Sequence, residues 1–363
     1  MFKLFLWSVL LLHGIANRSY GSVAVSASYS DTANILQILD CISDRNIPNT
    51  EGDCQDDGGY LKDWIKRFGP LTSNDKTFLR EYTRLRNKYF NDPDEQEEDP
   101  LKNRNGLFAR IGSEHADKLA PIFYSSKTLS DVYKKIPALL SKAEVVRLKK
   151  ILLHFDVQLK IYLKESRAYI EAAKEMNASL QNPEFTAFYN EIMAFYNVNE
   201  GLQFEVVYVW WPLLNRVMTP HYGQFFVMER NPASPDLNKT ENDIITHEIV
   251  HSISSRQDLK QKQKLTSQFL RGCDPQKKVK PLRILEEPFA VSIGQMLFLE
   301  RFKPDEFKGT KKWYRNSWVN EFAPDVFPMV KEAFKSKKRI TDGIIEKLIS
   351  SCKTLYDSKS NFP

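Results

Sequence analysis

The segment His247-Glu248-Ile249-Val250-His251 constrains this chain more than any other, because its chemistry requires a helix. Two histidines four residues apart leave an α-helix from one face and can share one metal ion. Glu248 lies between them, where a carboxylate can take a proton from a water on that metal. Just upstream, Asn231-Pro232-Ala233-Ser234-Pro235 breaks the chain, and Thr240-Glu241-Asn242-Asp243 has the T-x-x-D form of a capping box that starts a helix. Before the break, residues 202–211 (LQFEVVYVWW) are rich in β-branched and aromatic side chains and predict a strand. Residues 224–229 (QFFVME) predict another, after a turn-like stretch with Pro220 and Gly223. The chain beyond the motif reads as mainly helical.

Upstream the pattern is helical too. Val145, Leu148, Leu152, Phe155, Leu159 and Leu163 recur at steps of three and four from Ser141 onward, which predicts one long amphipathic helix. His154 flanks its apolar stripe and reads as a partly buried structural histidine. Residues 183–196 predict a second helix after a break at 177–182. Near the N-terminus, residues 23–27 predict a short strand and 32–42 a helix. Residues 43–58 are turn-rich, and the acidic stretch 91–100 is too polar to pack and reads as an exposed loop. His115 has no supporting context. No internal repeat is present.

A chain of 363 residues can bury a substantial core, as one large domain or two ordinary ones, and its 42% hydrophobic and 27% charged content is that of a globular protein. The net charge of +6 is mild. Basic runs at 277–280 and 335–339 come with no recognition module, so a nucleic-acid partner is not expected. Lys3, the apolar run 4–12 and the small residues that follow form a secretory signal, with cleavage after Ala16 or Gly21, Ala24 being farther from the apolar run. That run is well short of the ~20 residues that span a bilayer, so no stable membrane anchor is expected and the mature protein is secreted or periplasmic. The four cysteines include no C-x-x-C pair, which disfavours a structural metal site, and their even number favours two disulfides; of the three connectivities, Cys41–Cys54 with Cys273–Cys352 is preferred because the first pair is near in sequence. Asn177 and Asn238 stand in glycosylation sequons. The expected division is a signal peptide at 1–21, a helical N-terminal region at 22–180 and a catalytic domain at 181–363.

A catalytic zinc has three protein ligands and an open position. No histidine follows His251, so the third ligand should be a carboxylate on a later helix. Leu285-Glu286-Glu287-Pro288-Phe289-Ala290 offers two adjacent glutamates. This segment resembles the L-N-E-G-F-A segment of zinc aminopeptidases in the gluzincin group, which bind zinc through HExxH plus a distant glutamate. The resemblance covers two short motifs and the strand before them, about a third of the chain. It implies an α+β, mostly helical fold, with a small sheet in a zincin-like metallopeptidase domain behind a helical N-terminal region. It implies one zinc ion on His247, His251 and Glu287, with Glu286 in place of the preceding asparagine and as the fallback ligand. Pro288 replaces the usual glycine and suits the first turn of a helix, and Ala290 is small where two helices approach. Two departures stand out. The aspartate that thermolysin-like enzymes place four residues after the ligand glutamate is here Val291, and the GxMxN exopeptidase motif is absent. The wider layout also resembles poorly characterised bacterial secreted proteins with a late HExxH.

The activity this implies is that of a secreted zinc metallopeptidase acting on a peptide or protein substrate, with Glu248 as general base. His221 and Tyr314 are the candidates for stabilising the negative charge of the reaction, and residues 224–229 for the edge strand along the substrate cleft. The alternative is a non-catalytic secreted binding protein that keeps a zincin fold and its metal. The oligomeric state stays open.

Overall fold

Strand β1 (Val23–Tyr29) finds its partner far downstream, in β2 (Leu202–Trp210), and the two run parallel. The computed structural model describes residues 21–43, 59–90, 117–214, 217, 219, 221–237, 239–273 and 281–358. Among them one mixed sheet has the order β1-β2-β4-β3. In it β4 (Phe225–Arg230) is parallel to β2, and the two-residue β3 (His221–Tyr222) is antiparallel to β4. Parallel neighbours need long crossovers, and helices supply them.

The β1–β2 crossover holds α1 (Asp31–Ile42), α2 (Tyr60–Phe68), α3 (Ser73–Lys88), α4 (Ala120–Tyr124), α5 (Leu129–Lys135), α6 (Lys142–His154), α7 (Asp156–Ser166), α8 (Tyr169–Leu180) and α9 (Pro183–Tyr196). After β4 come α10 (Asn242–Ser255), α11 (Leu259–Gly272) and α12 (Pro281–Ala290). A π-helical segment (Val291–Leu297) then leads into α13 (Phe298–Phe302), α14 (Pro304–Gly309), α15 (Ser317–Lys335) and α16 (Asp342–Ser358). The architecture is α+β and mostly helical, as the patterning predicts. No helix among the described residues is long and apolar enough to cross a membrane.

Because β1 lies in the same sheet as β2, the stretches on either side of residue 180 share one buried cluster, from Val23 to Cys352. Several local expectations change. The helix starts at Ser141 as read, where Glu144 closes a capping box, but it breaks at Phe155 into α6 and α7. The break at 177–182 narrows to Gln181–Asn182. Asn177 sits inside α8, its side-chain oxygen accepting from the Ala27 N–H at 3.0 Å. His154 is structural, its Nε2 at 2.6 Å from Asp75 and its ring stacked on Phe78. The disulfide Cys273–Cys352 ties α16 to the end of α11, with 6.1 Å between Cα atoms. Cys41 is also disulfide-bonded. Cys54, His115, Asn238, the acidic stretch 91–100 and the signal segment 1–20 lie outside the described residues.

A buried asparagine joins the crossover to the sheet. β1 ends at Tyr29, opposite Tyr208, while β2 runs on to Trp210. Asn34 on α1 takes over there: its Oδ1 accepts from the Trp210 N–H at 2.7 Å and its Nδ2 donates to the Tyr208 carbonyl at 3.1 Å. Asn34→Leu would leave both backbone groups buried and unpaired. It is expected to cost about 1–3 kcal/mol of stability in urea unfolding; an unchanged midpoint would show that another group replaces Asn34.

Candidate metal centre

Helix α10 carries the motif and is buried along most of its length, with Ile245, Ile249, Val250 and Ile253 in the core. Its cap differs from the sequence expectation. Glu241 is the capping residue, and neither it nor Thr240 closes a side-chain capping box. Instead Asn242 is held from outside, its Nδ2 donating to Ser179 on α8 at 2.6 Å, and Thr246 sits at 3.4 Å from the Tyr189 hydroxyl on α9. Helices that arrive much earlier in the chain therefore set the depth of α10.

The two imidazoles converge as the spacing requires. His247 and His251 are 5% and 1% exposed, and their Nε2 atoms stand 3.1 Å apart. Glu287 on α12 completes the group. Its Oε2 is 3.4 Å from His247 Nε2 and 3.5 Å from His251 Nε2. Among the described residues, these three form the one His/Cys/Asp/Glu group close enough to hold a metal ion. Donors arranged tetrahedrally at about 2.0–2.1 Å from one ion stand about 3.3 Å from one another. The three separations match that spacing, and two imidazole nitrogens with one carboxylate oxygen suit zinc.

The adjacent glutamates part company because successive helical residues point about 100° apart. Glu287 faces both Nε2 atoms, whereas Glu286 faces the outer nitrogen of His251, with Oε1 at 3.0 Å from Nδ1 and accepting from Ser254 Oγ at 3.2 Å. Glu286 is thus beside His251 rather than in the triangle that Glu287 completes. Pro288 does not occupy a first turn, since α12 begins at Pro281 and Pro288 lies inside it. A proline there removes one intrahelical hydrogen bond, and the π-helical segment follows directly. The hydroxyl of Ser292 donates to the Pro288 and Ala323 carbonyls at 2.6 and 2.8 Å, pinning this irregular stretch to α15.

The close approach of the two motif helices is made at Gly294 rather than Ala290 alone. A Cβ on Gly294 would lie 2.4 Å from His247 Cα and 2.6 Å from its nitrogen. This glycine was missed in the sequence, although an isolated glycine inside an apolar helical run costs helix stability and so asks for a packing reason.

Tyr314 and His221 occupy different places. Tyr314 is half-buried, its ring stacked on His247 with centroids 6.0 Å apart and planes at 21°. Asn320 on α15 fixes that loop, its Oδ1 accepting from the Trp313 and Tyr314 N–H groups at 2.7 and 3.2 Å. His221 instead sits beside Ser252, one residue past the second histidine, with the hydroxyl 3.4 Å from Nε2 and its ring against Phe226. Glu248 is half-buried on α10, and its carbonyl accepts from Ser252 Oγ at 3.0 Å. The edge strand is also corrected. The two-residue β3 covers β4 only at Phe225 and Phe226, where it forms a short antiparallel edge beside α10, while β4 itself is buried throughout.

Comparison with protein-family models, with curated proteins and with solved structures finds no match to this chain.

Proposed function

We propose that this chain is a secreted zinc-dependent metallopeptidase with a zincin-like catalytic part. The observation that carries the reading is the buried triangle of His247, His251 and Glu287, with donor atoms 3.1–3.5 Å apart and a glutamate on the same helix. When bound, zinc polarises the scissile carbonyl and acidifies the attacking water. The carboxylate of Glu248 holds the proton lost by that water and passes it to the leaving amine nitrogen. The Tyr314 phenol, beside His247, is the leading donor to the carbonyl oxygen as negative charge develops there, and His221 is the second. An extended peptide lies along the β3 edge by main-chain hydrogen bonds. Export rests on the N-terminal segment of the sequence.

Elemental analysis of the purified full chain tests the metal. One zinc per chain is expected, with hydrolysis of an unstructured protein substrate lost on chelation and restored by zinc. Protein that takes up no transition metal under saturating zinc would overturn the reading.

A further inference from the structure

A ligand imidazole must present one nitrogen lone pair to the metal and keep the proton on the other nitrogen, and the group that accepts that proton's hydrogen bond fixes the ring. The two histidines of this site are treated differently. His247 Nδ1 has no hydrogen-bond partner among the described residues; its ring is stacked on Tyr314, and Gly294 packs against its backbone. His251 has a carboxylate, Glu286, at 3.0 Å from Nδ1.

Glu286 is itself held. Ser254 donates to its Oε1 at 3.2 Å, and Lys262 enters the same cavity from α11. Lys262 is 9% exposed, and its Nζ donates at 3.2 Å to the Ser254 carbonyl at the C-terminal end of α10, where a cation is favoured by the helix dipole. Burial holds the Lys262 amine below the usual lysine range, while the Glu286 charge acts against that shift. Lys262 and the half-buried Glu286 thus line one cavity and share Ser254, whose hydroxyl meets Glu286 and whose carbonyl meets Lys262.

We infer that Glu286, anchored by Ser254 and accompanied by the buried Lys262, is the positioning carboxylate of His251: it keeps the proton on Nδ1 and aims Nε2 at the metal. The inference rests on the zinc reading above and deepens it. Val291 has no carboxylate to offer either ring, and the one that reaches an outer histidine nitrogen comes from the residue next to Glu287.

The test is zinc affinity of the full chain, measured by competition with a chromogenic chelator, together with the visible spectrum of the cobalt-substituted protein. Glu286→Ala is expected to weaken zinc binding by about 10–100-fold, the usual effect of losing such a partner, and to alter the cobalt spectrum. Glu286→Gln keeps an oxygen acceptor but not the charge, and is expected to recover part of the loss. Thermal unfolding of the metal-free forms reports folding separately. Affinity equal to that of the wild type in either variant overturns the assignment, so Glu286→Gln decides should Glu286→Ala fail to fold. Wild-type protein that binds no zinc overturns the metal reading itself, whereas a wild type that binds zinc beside a Glu286→Ala that binds it equally overturns only this role.

Discussion

Glu248→Gln is expected to keep zinc bound and to lower kcat/KM for peptide hydrolysis by about a hundred- to ten-thousand-fold, the range a positioned general base contributes. The substitution is close to isosteric and removes only the ability to take a proton. Glu248 is outside the donor triangle, so the three separations that define it stay unchanged. The paired measurement of zinc content and rate gives the experiment its force. Loss of both would mean that Glu248 holds the site together. Full activity with zinc bound would sink the proposed mechanism.

Gly294→Ala is the larger structural test. The added methyl would need to sit 2.4 Å from His247 Cα, and backbone on both sides cannot rotate away as a side-chain tip can. The π-helical segment and α10 must separate, which is expected to cost about 1–3 kcal/mol of stability. The displaced element carries Glu287 on one side and the other carries His247, so zinc affinity should fall as well, by about 10–100-fold as when a ligand's support is disturbed. Gly309→Ala is the control. Nothing lies within 4 Å of a Cβ there, and its backbone is not in the left-handed region. It should unfold within about 0.5 kcal/mol of the wild type. Equal zinc affinity in Gly294→Ala and wild type would show that the two helices can part without disturbing the donors.

Local pattern carried much of this site. The i, i+4 histidines and the apolar positions between them specify a helix, and Leu202–Trp210 is strand-like by composition alone. The lack of any histidine after His251 points to a carboxylate as third donor without reference to a fold. What escaped was short or distant. β3 is two residues long, too brief for alternation to register, so the edge of the sheet was assigned to its neighbour. The supposed capping box at Thr240 has the right letters, yet the start of α10 is set by Ser179 and Tyr189, which no local window contains. Tyr314 gave no signal beyond being aromatic; its place over His247 depends on Asn320 gripping the backbone from the next helix.

The sequence by itself determined that two histidines share one face of a helix and pointed to an acid from further along the chain as their companion, because these follow from side-chain chemistry and helical period. Only the tertiary structure decided between Glu286 and Glu287. Adjacent residues on one helix differ in direction, and which direction meets the histidines depends on the rotation of α12 against α10. That rotation is fixed by Gly294 against the His247 backbone and by Ser292 against α15, contacts between segments that sequence order keeps apart.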